Sequence, residues 1–126
     1  MKVAFWNCRG VKRPHFWTEI GFLKNNHHFD MLCLAETKFN SPPNSNFLHK
    51  LGFRKIIISQ SDGTKGGLWL MISNSISTSF ITILYSKNNI ILIQYNDNHN
   101  LNFLIFFIYA PTTVLPKCAS GTNLRN

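Results

Sequence analysis

The chain has 126 residues, enough for one small domain, and 44% of them are hydrophobic with eleven Phe, which excludes a disordered chain. Thirteen Lys and Arg against five Asp and Glu give a net charge of +8, a balance that favours a polyanionic partner such as nucleic acid over an anionic membrane surface. Three scattered cysteines (Cys8, Cys33, Cys118) form no CxxC pair, which excludes a disulfide framework or a Cys-rich zinc module.

Residues 2–7 form a short apolar run ended by Cys8-Arg9-Gly10 and read as a buried first strand. No sustained apolar stretch precedes Asn7, so the opening residues do not read as a signal peptide. Pro14 sits where helices start, and Phe16, Ile20 and Leu23 recur at spacings of three and four, predicting an amphipathic helix that ends near Asn25-Asn26. Residues 29–34 are a second apolar run, closed by Ala35-Glu36-Thr37-Lys38. A polar loop with Pro42-Pro43 follows, and then a helical turn or two before Gly52.

Beyond Gly52, residues 54–59, 68–73, 79–85, 90–95 and 101–109 are rich in Ile, Phe and Leu and are separated by Ser, Asn, Asp or Gly clusters. One βαβ unit followed by antiparallel strands predicts a mixed α/β (α+β) layered fold. Residues 112–126 show no periodicity and read as an irregular tail after a domain of residues 1–111. The longest apolar run, 103–111, is about half the length of a membrane span. The expected setting is nuclear or cytoplasmic.

Five acidic residues make each one easy to weigh. Glu19 and Asp97 read as solvated, Asp62 as a turn former and Asp30 as a cap or turn residue. Glu36 stands directly at the carboxyl end of a buried strand, where α/β folds place ligands. A hard cation such as Mg²⁺ asks for one or two carboxylate oxygens, so Glu36 is a candidate ligand as well as a candidate surface residue. Asn7 ends the first strand and would lie beside Glu36 if the two strands are neighbours. The histidines do not form a metal clip: His27-His28 adjoin in an expected loop and HExxH spacing is absent. Trp6, Trp17 and Trp69 could stack on bases, but each lies in an apolar element where core packing is the simpler role.

Trp6-Asn7-Cys8-Arg9-Gly10, Asp30-Met31-Leu32-Cys33-Leu34-Ala35-Glu36-Thr37-Lys38, Leu51-Gly52-Phe53, Gly66-Gly67-Leu68 and Ile108-Tyr109-Ala110-Pro111 stand in one order along the chain. Together they resemble the endonuclease/exonuclease/phosphatase superfamily, in particular the plant branch related to the endonuclease region of LINE-type non-LTR retrotransposons. The resemblance implies a two-sheet sandwich flanked by helices and a Mg²⁺- or Mn²⁺-dependent phosphodiesterase acting on DNA or RNA. It implies Glu36 as metal ligand, Asn7 as a residue orienting metal or phosphate, and Tyr109 as a phosphate-contacting phenol. Lys38 would support the acidic site, and Arg9 is a candidate phosphate contact that replaces an acidic residue found in some members. The family's downstream Gly-Asp-Phe-Asn and Ser-Asp-His blocks have no counterpart, since no acid or His follows Tyr109. The expectation is therefore an amino-terminal part of such a domain, with its second sheet largely missing and its first sheet's inner face open to self-association. Its activity should be undetectable. The alternatives are a non-catalytic basic nucleic-acid-binding module, with Lys2, Arg9, Lys12, Arg13, Lys38, Arg54, Lys55 and Lys65 facing phosphate, and a non-functional retrotransposon remnant.

Overall fold

The computed structural model describes residues 1–110. The expected tail, residues 112–126, lies outside the described residues. The fold is mixed α+β with two small sheets. Strands β1 (Val3–Asn7) and β2 (Met31–Ala35) run parallel, joined by helix α1 (Phe16–His27). Helix α2 (Ser45–Lys50) leads into β3 (Phe53–Ser59) and β4 (Leu68–Ser73), which complete a four-stranded sheet in the order β1-β2-β4-β3. Strands β5 (Ile81–Lys87), β6 (Ile90–Asn96) and β7 (Asn102–Ile108) form an antiparallel three-stranded meander.

Local chemistry accounts for the element boundaries. Phe16 and Ile20 are buried against the sheet, as the three-four spacing requires. α1 ends at His28, whose left-handed backbone closes the last turn by donating its N–H to the Lys24 carbonyl. His27 therefore belongs to the helix and not to the loop expected for it. Asn44 caps α2 by accepting from the Phe47 N–H at 2.9 Å. The β5–β6 loop is Asn88-Asn89, both with positive φ (57° and 60°), as a type I′ hairpin turn demands.

β2 and β4 are buried at every position. Their two faces feed separate cores, because neighbouring side chains in a strand point oppositely. Leu32, Leu34, Trp69 and Met71 pack against α1. Cys33, Ala35, Leu70 and Ile72 meet Ile91, Ile93, Tyr95 and Phe107 of the second sheet. Each such side chain contributes about 1.5–3 kcal/mol by leaving water. Cys33 is part of this interior, and burial pushes its thiol pKa far up, so its role is packing.

The expectation of a largely missing second sheet is corrected. Strands β5–β7 form a second sheet that packs on the face of the first sheet carrying Cys33, Leu70 and Ile72, so that face is not open. The chain crosses between layers at residues 74–80, which include a 3-10 turn at Thr78–Phe80. A run of regularly spaced strands does not reveal which sheet each joins. The uncovered apolar area lies elsewhere. Leu104, Phe106 and Ile108 on the outer side of β7 are 56–60% exposed, and Val3 and Phe5 on β1 extend past the second sheet's cover. No helix is long and apolar enough to cross a membrane among the described residues.

Candidate active site

Because β1 and β2 are parallel, both release the chain at the same end of the sheet. Their register sets Asn7 opposite Ala35, so Glu36, the next residue, stands beside Asn7. The loop holding Glu36 is tied down by its backbone. The Glu36 N–H donates to the Gly67 carbonyl at 2.9 Å, the Glu36 carbonyl accepts from the Gly10 N–H at 2.8 Å, and the Lys38 N–H donates to the Gly66 carbonyl at 2.9 Å. Arg9, His15, Glu36 and Lys38 all have φ between 58° and 63°. A non-glycine residue there costs on the order of 1–3 kcal/mol and persists where its surroundings hold it, commonly at functional sites. All four lie in the two loops that follow β1 and β2.

Tyr109 arrives from the other sheet, one residue past β7. Its phenol donates to Glu36 Oε2 at 2.6 Å, joining residues 73 positions apart. Lys38 Nζ lies 3.4 Å from Glu36 Oε1. The Tyr109 hydrogen bond is the main reason the Glu36 carboxyl is held below its usual pKa range; partial desolvation opposes it, and Lys38 and then Asn7 add smaller support. Burial first, and the carboxylate acceptor second, push the Tyr109 phenol up to about 12.

The sign of the pH dependence follows. The lowered Glu36 pKa adds stability above the usual carboxylate range, which is lost as pH falls through the folded value. The raised Tyr109 pKa adds stability that is full below the ordinary phenol value and is lost as pH rises from about 10 towards about 12. Phenolate absorbance at 295 nm should therefore show a most alkaline step that disappears in Tyr109→Phe and moves to lower pH in Glu36→Gln. If that step survives in Tyr109→Phe, the assignment is wrong.

The other acids serve local structure. Glu19 pairs with Arg13 through both oxygens, at 2.9 and 3.1 Å. Asp30 accepts from the Lys2 N–H and the Ser75 hydroxyl, each at 2.8 Å. Asp62 shares a tight turn with Lys65, and Asp97 accepts from the N–H groups of His99 and Leu101. Asn7, Glu36, Lys38 and Tyr109 are thus brought together. Arg9 is exposed at the same end and makes no ion pair among the described residues.

Asn89 is the residue that sequence reasoning missed. Its N–H donates to Ser59 Oγ at 2.9 Å, its side-chain oxygen accepts from the Gly67 N–H at 2.7 Å, and its carbonyl accepts from the Tyr109 N–H at 3.0 Å. One turn residue thereby links both sheets and positions the phenol. Its only sequence signal was an Asn pair in a turn, which does not reveal a long-range bond.

Glu36 supplies one carboxylate, with the Asn7 amide beside it, which is the minimum for a hexacoordinate Mg²⁺ or Mn²⁺ that keeps waters and substrate phosphate. No group of three or more His, Cys, Asp or Glu gathers among the described residues. The chain matches no protein-family profile and no curated protein sequence.

Proposed function

We propose that the chain carries the metal- and phosphate-facing part of a Mg²⁺- or Mn²⁺-dependent phosphodiesterase site for nucleic acid, on a two-sheet sandwich of the endonuclease/exonuclease/phosphatase type. The observation that carries this reading is the 2.6 Å Tyr109–Glu36 hydrogen bond between the two sheets, at the strand ends where Asn7 and Lys38 also converge. Glu36 would hold the ion, and Asn7 would orient its shell or the phosphate. Tyr109, neutral at physiological pH, would turn its single O–H from Glu36 to a phosphate oxygen, leaving the carboxylate to the ion. Lys38 balances the local negative charge. A bound divalent ion supplies Lewis-acid neutralisation of charge on the phosphate.

Turnover also needs a group that activates water, and loss of a general base commonly lowers rate by about 10²–10⁴. Among the described residues no acid or imidazole other than Glu36 makes a hydrogen bond or ion pair with Asn7, Lys38 or Tyr109. The expected result is therefore binding without turnover. Water-proton relaxation with Mn²⁺ should reveal weak binding in the wild-type chain that is lost in Glu36→Gln, while supercoiled plasmid stays intact in Mg²⁺. Equal relaxation in both proteins would remove Glu36 from the site. Nicking that EDTA and Glu36→Gln both abolish would overturn the claim of inactivity.

A second reading, a basic nucleic-acid-binding module without catalysis, is favoured by the placement of cations. Arg9, Lys12, Arg13, Lys38 and Lys65 lie in loops at the Glu36 end of the first sheet. Lys2, Arg54 and Lys55 lie at the opposite end. There Lys2 Nζ donates to the His27 carbonyl at 2.6 Å and Arg54 to the Asn74 carbonyl at 2.9 Å. Five of the eight cations expected to face phosphate thus share the Glu36 end of the sheet, and of these Arg13 is already engaged by Glu19. Duplex binding that weakens with salt but persists in EDTA and in Glu36→Gln would favour this reading.

A further inference from the structure

On the helix-covered side of the first sheet lies an open cavity of about 530 Å³, within the size range of small-ligand pockets. Its walls are built by the two loops that follow β1 and β2, together with α1 and β4: Lys12, His15, Trp17, Phe39, Pro43 and Trp69. Trp17 is half-buried, 6.2 Å from the fully buried Trp69 at an interplanar angle of 27°. The Trp69 indole N–H donates to the Phe39 carbonyl at 3.2 Å, which fixes the Phe39 backbone at the cavity wall. Trp17, which also meets Phe16 and Phe47 edge-on at 4.9 and 5.6 Å, and Phe39 are both partly buried and stand on a rigid base.

The charges at the rim are unequal in their commitments. The Arg13 guanidinium is engaged by both Glu19 oxygens and by the Cys8 carbonyl, which its Nε reaches at 3.0 Å. Lys12 has no carboxylate partner among the described residues, and its ammonium lies 4.7 Å over the Phe39 ring. An aromatic recess beside a cation that has no carboxylate partner suits a flat ring that carries an anionic group. The ring stacks on aromatic faces and the anion meets the ammonium.

We propose that this cavity binds an unstacked nucleobase, with its phosphate on Lys12, from a single-stranded stretch of nucleic acid. The proposal rests on the nucleic-acid reading above and names the form of that ligand. His15 at the wall, held at φ 63°, borders the same space and would line the ribose side.

The test compares two probes of equal charge on the full chain: an eight-nucleotide oligothymidylate and an abasic phosphodiester oligomer of the same length. Affinity is read by tryptophan fluorescence quenching. Stacking on aromatic rings should make oligothymidylate bind at least about tenfold tighter. Lys12→Ala should weaken both probes and lower the slope of log affinity against log salt by about 1. Equal affinity for the two probes would overturn the proposal, because charge alone would then explain binding. A second readout needs no variant: photocrosslinking from 5-bromodeoxyuridine should label the peptides containing Trp17 or Phe39, and labelling confined to other peptides overturns the proposal. Equal Mn²⁺ relaxation in the wild type and Glu36→Gln would defeat the phosphodiesterase reading while leaving the base preference standing. Equal probe affinities would defeat the pocket while leaving the metal result standing.

Discussion

Gly67→Ala is expected to destabilise the fold by about 2–5 kcal/mol, the sum of about 1–2 for a disfavoured backbone and about 1–3 for overpacking. Gly67 has φ +99°, and an added Cβ would overlap Thr37 Oγ1 and lie 3.0 Å from Ser61 Cβ and 3.4 Å from Ser61 Cα. Neither neighbour can retreat freely. Thr37 is fully buried and its N–H donates to the Gly67 carbonyl. Ser61 is anchored through its N–H to the Asn40 side chain at 2.7 Å. The same carbonyl of Gly67 accepts from the Glu36 N–H, so the loss should reach the site and shift the alkaline tyrosine step downward. Gly63→Ala is the control, since Gly63 has φ +60° but no atom within 4 Å of an added Cβ. It should cost only the backbone part. Urea midpoints that fall equally in both variants would refute the steric account.

Asn89→Ala is expected to cost about 2–4 kcal/mol, with Asn89→Gly about 1 kcal/mol milder. Both variants lose the oxygen that accepts from the Gly67 N–H, and leaving a buried donor unsatisfied costs about 1–3 kcal/mol. Alanine adds the strain of a left-handed backbone, about 1–2 kcal/mol, which glycine escapes. The order wild type, Gly, Ala in denaturant midpoint is therefore the signature of a residue held for both its side chain and its φ of 60°. Stability unchanged in both variants would mean that the link between sheets contributes nothing.

Much of this fold was legible because its pattern is local. The apolar run before Asn7, the three-four spacing of Phe16, Ile20 and Leu23, and the apolar run before Glu36 each determine one element without reference to the rest. The Asn88-Asn89 turn was readable for the same reason. Layering was not legible: β3 and β6 look alike in sequence, and only the crossing at residues 74–80 assigns them to different sheets. Within the site, Asn7 and Glu36 could be paired from the βαβ unit alone. Tyr109 joined them only through the family resemblance, since no spacing rule connects residues 73 apart. The separation of Lys2, Arg54 and Lys55 from the Glu36 end was not legible, because composition counts charges without saying at which end of a strand they fall. Trp17 illustrates a subtler limit: a ring can serve the core with one edge and leave another at a cavity wall.

The bond between Glu36 and Tyr109 also dates the assembly of the molecule. β1, α1, β2, β3 and β4 can all form once Ser73 has been made, and most of their contacts close short or moderate loops. The Glu36 carboxylate then has Lys38 and water for company. Its phenol belongs to a residue that emerges roughly 2–7 s later at ordinary synthesis rates of about 5–20 residues per second. During that interval Leu70 and Ile72 face solvent, waiting for Ile91, Ile93 and Phe107. The nascent chain would be most open to chaperones and proteases then, because the apolar face carrying Leu70 and Ile72 has no cover until β6 and β7 have been made. The alkaline titration of a single tyrosine would therefore act as a completion signal, appearing only in molecules whose second sheet has arrived.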